Sequence, residues 1–579
     1  MAQDSSAGPV RLVPRDSLGP AGPAGAQAEG GQTQPGLPTT IPKARIQGIE
    51  INPLEEIAPD SIGTLSPEEG GFGADMWRGT ERLVAERLLR RLPRDMHSRT
   101  MRELARRLLL SVASPPAESV PPEAPSQSAL LALRIERLAL LGEVPALNRL
   151  LSVVPGRHED ESISRIRVDG LLLARQFDEA CRLVRNRIAS YHELPYWQKA
   201  LVFCQMAAGE VDKGMLGLDL LREQGVADDP TFFALANAFM GVEADLPDDT
   251  ELSPLHFAML QAAGAPLPSG AVWRASPGLL FALANAPSAD LEQRAQAAEL
   301  VCAKGQLDGA VLAEIYQSFS FAAEELGNAL GAVESLEGPR ARALLYQAAR
   351  NETLPATRAE VLRVALQRAE RAGLYQALVP VLVPLIAEIE AVPELAWFAT
   401  TAGRALYAAG RHEEASAWLT LGRQEAIISP QASAAVAVLW PYSRLAGGAA
   451  LTTDGNLAAW RAMREGMGGR ALGRSQSLLR ASFQALGERD PLPWSLIAAN
   501  GEPVSRLLPN AALLYALEEA SDARRIGETV LLSLVVLGEG GPAQSHTLAL
   551  GAVLSALTRV GLEREARALA IEAALANGV

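Results

Sequence analysis

Lysine is nearly missing from this chain. Four lysines (Lys43, Lys199, Lys213 and Lys304) stand against 49 arginines in 579 residues, and the formal net charge is −14. An acidic chain with a pI near 5.2 lacks the basic footprint that a general nucleic-acid binder needs. The arginine bias follows more simply from a GC-rich genome than from a guanidinium-specific role. Cysteine is also scarce: Cys181, Cys204 and Cys302. No two have metal-ligand spacing, and an odd number cannot all pair internally. Buried free thiols are expected. A Cys181–Cys204 disulfide is the alternative, because both fall on successive repeat helices. No apolar run approaches a membrane span. The strongest, Val530 to Leu537, is far shorter than the roughly 18 residues required.

Signatures of chemistry are missing too. The six histidines (His97, His158, His192, His256, His412 and His546) are scattered singly. After His412-Glu413 the position needed for a zinc-type H-E-x-x-H is Ser416. No G-x-S-x-G elbow occurs. Carboxylate pairs such as Glu324-Glu325 and Asp228-Asp229 are adjacent in sequence and diverge in space or lie in turns. The stretch Gly468 to Ser475 echoes a phosphate-binding loop with Arg474 in place of lysine. No hydrophobic strand precedes it, so an inter-helix loop is expected. No catalytic residue, cofactor or metal is expected, and no enzyme. Strands are scarce as well. Val379-Pro380-Val381-Leu382-Val383-Pro384 carries prolines that a central strand would not accept.

What is present is a recurrence. Gly142, Arg175, Gly209, Gly305, Gly338, Gly373 and Gly410 are candidate turns, mostly about 34 residues apart or a multiple of that. Five places after each comes Leu147, Ala180, Gly214, Ala310, Ala343, Leu378 or Ala415, mostly small. Small side chains there let a second helix approach the first. Nine places after comes Leu151, Val184, Leu218, Glu314, Gln347, Leu382 or Leu419. The last unit, with Gly403, Gly410, Ala415 and Trp418, fits best. At these residues the chain resembles tetratricopeptide-type repeats over residues 128–425, with an echo at Gly561 to Ala566. The resemblance implies an all-α fold, an α-solenoid of antiparallel helical hairpins whose groove binds protein.

The remaining segments have different textures. Residues 1–44 are rich in Gly, Pro and Ala and are expected to be a disordered tail. Residues 45–73 carry Ile46, Ile49, Ile51, Leu54, Ile57, Ile62 and Leu65 among prolines. They read as an extended apolar segment that docks on the chain itself or is offered to a partner. Residues 74–113 read as an Arg-rich helical hairpin, with helix from Asp75 to Leu92 and then a second helix N-capped by Ser98. Residues 114–127 read as a Pro-rich linker, and 426–579 as a C-terminal helical lobe. Between Arg78 and Arg107 lie ten arginines and four acids. That excess offers Arg78, Arg82, Arg99, Arg102 and Arg106 as contacts for an anionic surface. The alternative is two solvated helix faces or an internal clamp. Ile49 and Ile51 are the candidate partner contacts of the extended segment.

The expectation is therefore a non-enzymatic protein-interaction scaffold that takes a peptide or protein partner in a solenoid groove. Met1-Ala2-Gln3-Asp4 reads as a start methionine before a mature exported terminus, which places it in a bacterial periplasm with its signal peptide removed. A cytoplasmic location is the alternative. The second functional class is an envelope glycan-processing enzyme, or a subunit of one, with its site in the C-terminal lobe. Against it, Glu334-Ser335 lies within a repeat, and the Gly-Leu-Met-Gln stretch of solenoid-bearing lytic transglycosylases is missing.

Overall fold

A computed structural model describes residues 58–118, 129–225, 229–448, 454–466, 469–488, 493–500 and 508–579. The tail, the segment through Ile57 that holds Ile49 and Ile51, and most of the Pro-rich linker lie outside these residues. The chain is all-α. Among the described residues the extended pairing amounts to two isolated bridges, Leu65 with Ser111 and Glu81 with Ala117.

Hairpins are built on one recurring turn. At Gly142, Arg175, Gly209, Gly305, Gly373 and Gly410 the backbone has positive φ, between 60° and 78°. In each case the next residue's N–H reaches back to a carbonyl five residues earlier, as from Arg411 to Leu406 and from Gln176 to Leu171. This is the helix-ending geometry that satisfies orphan carbonyls and needs a left-handed residue. Gly561 and Arg524 repeat it. Gly338 differs. Its φ is also positive, but it opens the helix Gly338–Asn351 and does not join two helices.

The small residues after each turn sit where helices touch. Ala180, Ala343, Ala415 and Ala566 are fully buried. A Cβ on Gly214 would lie 2.6 Å from Met206 Cγ. One register is shifted: Ala310 is exposed, and Gly309 makes the close approach, with the Pro380 carbonyl 2.5 Å from where its Cβ would stand. Pro380 and Pro384 lie inside the helix Tyr375–Ala387, so the valine-proline run is helical. Pro384 has no N–H to return to the Pro380 carbonyl.

The N-terminal hairpin departs from its expected limits. Its first helix is Arg82–Arg90, because Gly79 at φ 76° turns the chain and Met76 and Trp77 pack against Gly527. The second is Arg99–Leu110, capped by Ser98 Oγ accepting from the Met101 N–H. This hairpin closes the chain on itself. Glu572, on the helix Glu563–Ala576, accepts from Ser98 Oγ, from the Thr100 N–H (3.0 Å) and from Thr100 Oγ1 (2.6 Å). One hydrophobic core therefore runs from Met76 to Val579, with no break near residue 425. A second core, from Val168 to Leu260, fills an arm of six helices, from Glu161–Leu173 to Pro254–Ala263. The arm carries a Cys181–Cys204 disulfide, so the free-thiol expectation holds only for buried Cys302. The repeat register had already brought the two helices together; an odd count requires only that one thiol stay unpaired.

Candidate functional site

The described part of the extended segment docks in cis. Thr64 and Leu65 donate to the Leu110 carbonyl at 2.8 and 3.0 Å, and Val112 donates to Leu65. Asp60 is buried, with one carboxylate oxygen accepting from the Leu131 N–H (2.8 Å) and the other from Arg82 (2.5 Å). It thereby serves the N-terminus of the helix Ala129–Leu141, where orphan N–H groups favour an anion. Arg134, fully buried on that helix, donates to the carbonyls of Leu109, Asp60 and Ser111. The segment thus lies on the hairpin and not in a repeat groove.

The arginines divide into two groups. Arg82 pairs with Asp60 and Glu86, Arg102 with Glu143 (3.1 Å), Arg106 with Glu103 (2.8 Å) and Arg107 with Glu565 (2.5 Å). Arg102 is 3% exposed and also donates to the Leu141 carbonyl, which leaves it no face for a partner. Arg78 is exposed and pairs with Asp75, and Arg99 is exposed beside Gly305. The internal clamp expected as the alternative accounts for Arg82, Arg102 and Arg107.

A polar cluster that the sequence did not reveal lies on the arm. A cavity of about 440 Å³ gathers Glu161, Arg165, Asp169, Tyr196, Lys199, Asp229, Ser253 and His256. Tyr196 Oη donates to Asp169 (2.7 Å), and the Arg165 guanidinium lies 4.5 Å from the Tyr196 ring centroid. Burial pushes the Asp169 carboxyl up to about 6, against the pull of the Tyr196 bond and Arg165. The Tyr196 phenol is driven well above its usual value by burial and by Asp169. Lys199 and His256 both hold Asp229 Oδ2, at 2.7 and 3.1 Å. Burial raises the Asp229 carboxyl, but Lys199, His256 and the Phe232 N–H outweigh it and leave a net depression.

Asp229, His256 and Ser253 have the residue types of a nucleophilic triad, but their geometry is that of a helix cap. The Ser253 N–H donates to His256 Nδ1 (3.3 Å), and the His256 N–H donates to Ser253 Oγ (3.1 Å). Nδ1 is therefore the acceptor and Nε2 carries the proton toward Asp229. Neither nitrogen is aimed to take a proton from Ser253 Oγ, so nucleophile activation is not supported.

This cavity shares Asp169 and Pro254 with a second one of about 510 Å³. Leu140, Leu147, Ile166 and Leu173 line the second cavity together with the charged Arg94, Asp95, Glu136, Glu143 and Lys304. Lys304 Nζ bonds both oxygens of Asp95, at 2.9 and 2.7 Å. Through the shared residues the two cavities form a two-lobed groove, one lobe mainly polar and the other both apolar and charged. Among the described residues no group of His, Cys, Asp and Glu has the arrangement to hold a metal ion, and no helix is long and apolar enough to cross a membrane. The phosphate-loop echo is helical from Gly469 to Ala485; Ser475 is buried and accepts from Arg464 at 2.6 Å, turned away from any anion. No family model, no curated protein and no solved structure matches the chain.

Proposed function

We propose that the chain is a non-enzymatic scaffold of tetratricopeptide-like hairpins that holds an extended peptide of a protein partner. The peptide lies in the groove beside the helix Glu161–Leu173. The observation that carries this is the sharing of Asp169 and Pro254 by two cavities. A lining that combines Leu140, Leu147, Ile166 and Leu173 with charged side chains suits a peptide with both hydrophobic and polar residues. The recurrence of left-handed turns at intervals near 34 residues or a multiple of that supports the repeat reading. The Cys181–Cys204 disulfide supports an oxidising compartment such as the bacterial envelope, because cytosolic disulfides are rare.

A photo-crosslinking residue at Ile166, inside the groove, tests this. It should capture one partner in cells, while the same residue at Ile427, which is 94% exposed in a distant turn, should not. Ile166→Arg should abolish capture through a crosslinker at Leu173 without unfolding the chain. Equal capture from both positions, or capture that survives Ile166→Arg, would sink the proposal.

A further inference from the structure

Four arginines of the N-terminal hairpin stand outside its internal ion pairs. Arg87, Arg90, Arg91 and Arg94 are exposed, and none pairs with a carboxylate among the described residues. Arg87 and Arg90 lie on the helix Arg82–Arg90, and Arg91 and Arg94 follow it directly. The opposite face of that helix buries Ala85, Leu88 and Leu89, so Arg87 and Arg90 point outward. Leu83, four residues before Arg87, shares the ridge and is 53% exposed. A single cation would complement the helix C-terminus. Four of them within eight residues of chain repel one another. Elsewhere in this hairpin Arg82, Arg102, Arg106 and Arg107 are matched to acids, at Asp60, Glu143, Glu103 and Glu565. The ridge is the place where that matching stops.

We propose that this ridge is the contact by which the protein lies on an anionic lipid surface. Guanidinium groups fork onto headgroup phosphates, and their methylene stems together with Leu83 enter the interface. The acidic remainder of the chain does not prevent contact, because charges more than about 8 Å away are largely screened at physiological salt. The absence of a membrane-length helix among the described residues is compatible with such peripheral binding. Arg94 also lines the second cavity; Arg87, Arg90 and Arg91 do not, and they carry the inference without the groove.

The test is co-sedimentation of the full chain with two kinds of vesicle. One is phosphatidylcholine alone; the other contains about one third phosphatidylglycerol, with roughly a fivefold gain in partition expected for each arginine. The protein should bind the anionic vesicles and not the neutral ones, and should be released by raised salt. Replacing all four arginines by glutamine (R87Q, R90Q, R91Q and R94Q together) should cut partition by several hundredfold with an unchanged melting curve. Leu83→Ser should lower it a few-fold more. R78Q, at an arginine already paired with Asp75, should change little. Equal binding to both vesicles, no binding to either, or a fourfold variant that binds like the native chain would each overturn the proposal. So would an acidic peptide that binds the ridge while anionic vesicles do not.

Discussion

Replacing both Cys181 and Cys204 by alanine should loosen the arm and leave the rest of the molecule nearly as it was. The two cysteines are 23 residues apart and join the helices Phe177–Tyr191 and Pro195–Ala207. Closing a loop of that length removes about 12 cal/mol/K from the unfolded arm, or roughly 3.4 kcal/mol at 25 °C. The arm has its own apolar cluster, from Val168 to Leu260, so it should open as a unit. At about 1.4 kcal/mol per decade, its opening constant should rise by roughly 300-fold. Native-state hydrogen exchange reads this directly. Amides of Phe177–Tyr191, Pro195–Ala207 and Val211–Glu223 should lose about 2.4 decades of protection. Those of Ala399–Ala408 and Thr547–Arg559, in the main core, should change little. A loss spread evenly over the chain would refute the separateness of the arm. No loss anywhere would refute the stabilising role of the bridge.

Other outcomes follow from single groups. Asp169 is pushed up to about 6 by burial, above its unfolded value near 3.9. The folded arm therefore binds the extra proton, and its stability is fully present below about pH 4 and falls as pH rises through 6. Urea titrations of native chain and Asp169→Asn at pH 4.5 and 7 should show that fall, about 2 kcal/mol between these two pH values, only in the native chain. Arg134→Met should lower stability by about 3–5 kcal/mol, since three carbonyls lose a buried donor; thermal unfolding checks it. Arg175 holds φ 60° at an exposed turn, so Arg175→Gly should stabilise by roughly 1 kcal/mol. Ala415 is fully buried between paired helices, and Ala415→Arg should cost several kcal/mol by overpacking and charge burial, seen as a drop in melting temperature.

The turns were legible because their requirement is local. A helix that ends in a left-handed residue selects glycine, and repeating hairpins space those glycines evenly. Arg175 was found only because it fell on the spacing, and Arg524 was missed because arginine carries no turn signal. Gly338 misled for a related reason: a positive φ can open a helix as well as close one. The polar cluster was illegible. Asp169, Tyr196, Lys199, Asp229 and His256 come from different helices or their caps, and each is ordinary in its own stretch. The one available signal was Ser253-Pro254 followed by His256, a helix start whose third residue can cap back. Composition placed a basic excess on the N-terminal hairpin. It could not distinguish the arginines held by acids from those left free, because acids such as Glu143 and Glu565 are distant in sequence.

That distance also orders the assembly of the groove. Ser98 and Glu572 are 474 residues apart, so the hairpin cannot take its final seat before the last helix exists. The arm has no such debt: its disulfide and its core lie within about a hundred residues of chain, and short loops close first. Yet one lobe of the groove is lined in part by Arg94, Asp95 and Lys304, and Asp95 belongs to the late-docking hairpin. The near lobe, around Tyr196 and His256, forms with the arm. The far lobe forms only when the hairpin joins the helix Glu563–Ala576 and Lys304 closes on Asp95. A peptide that spans both lobes would therefore bind the completed chain more tightly than any intermediate that has the arm alone. Binding would in turn favour the closed state by the difference between those affinities. The closure thus connects the fold to the proposed function, because the same contacts that join the two ends of the chain complete the proposed binding groove.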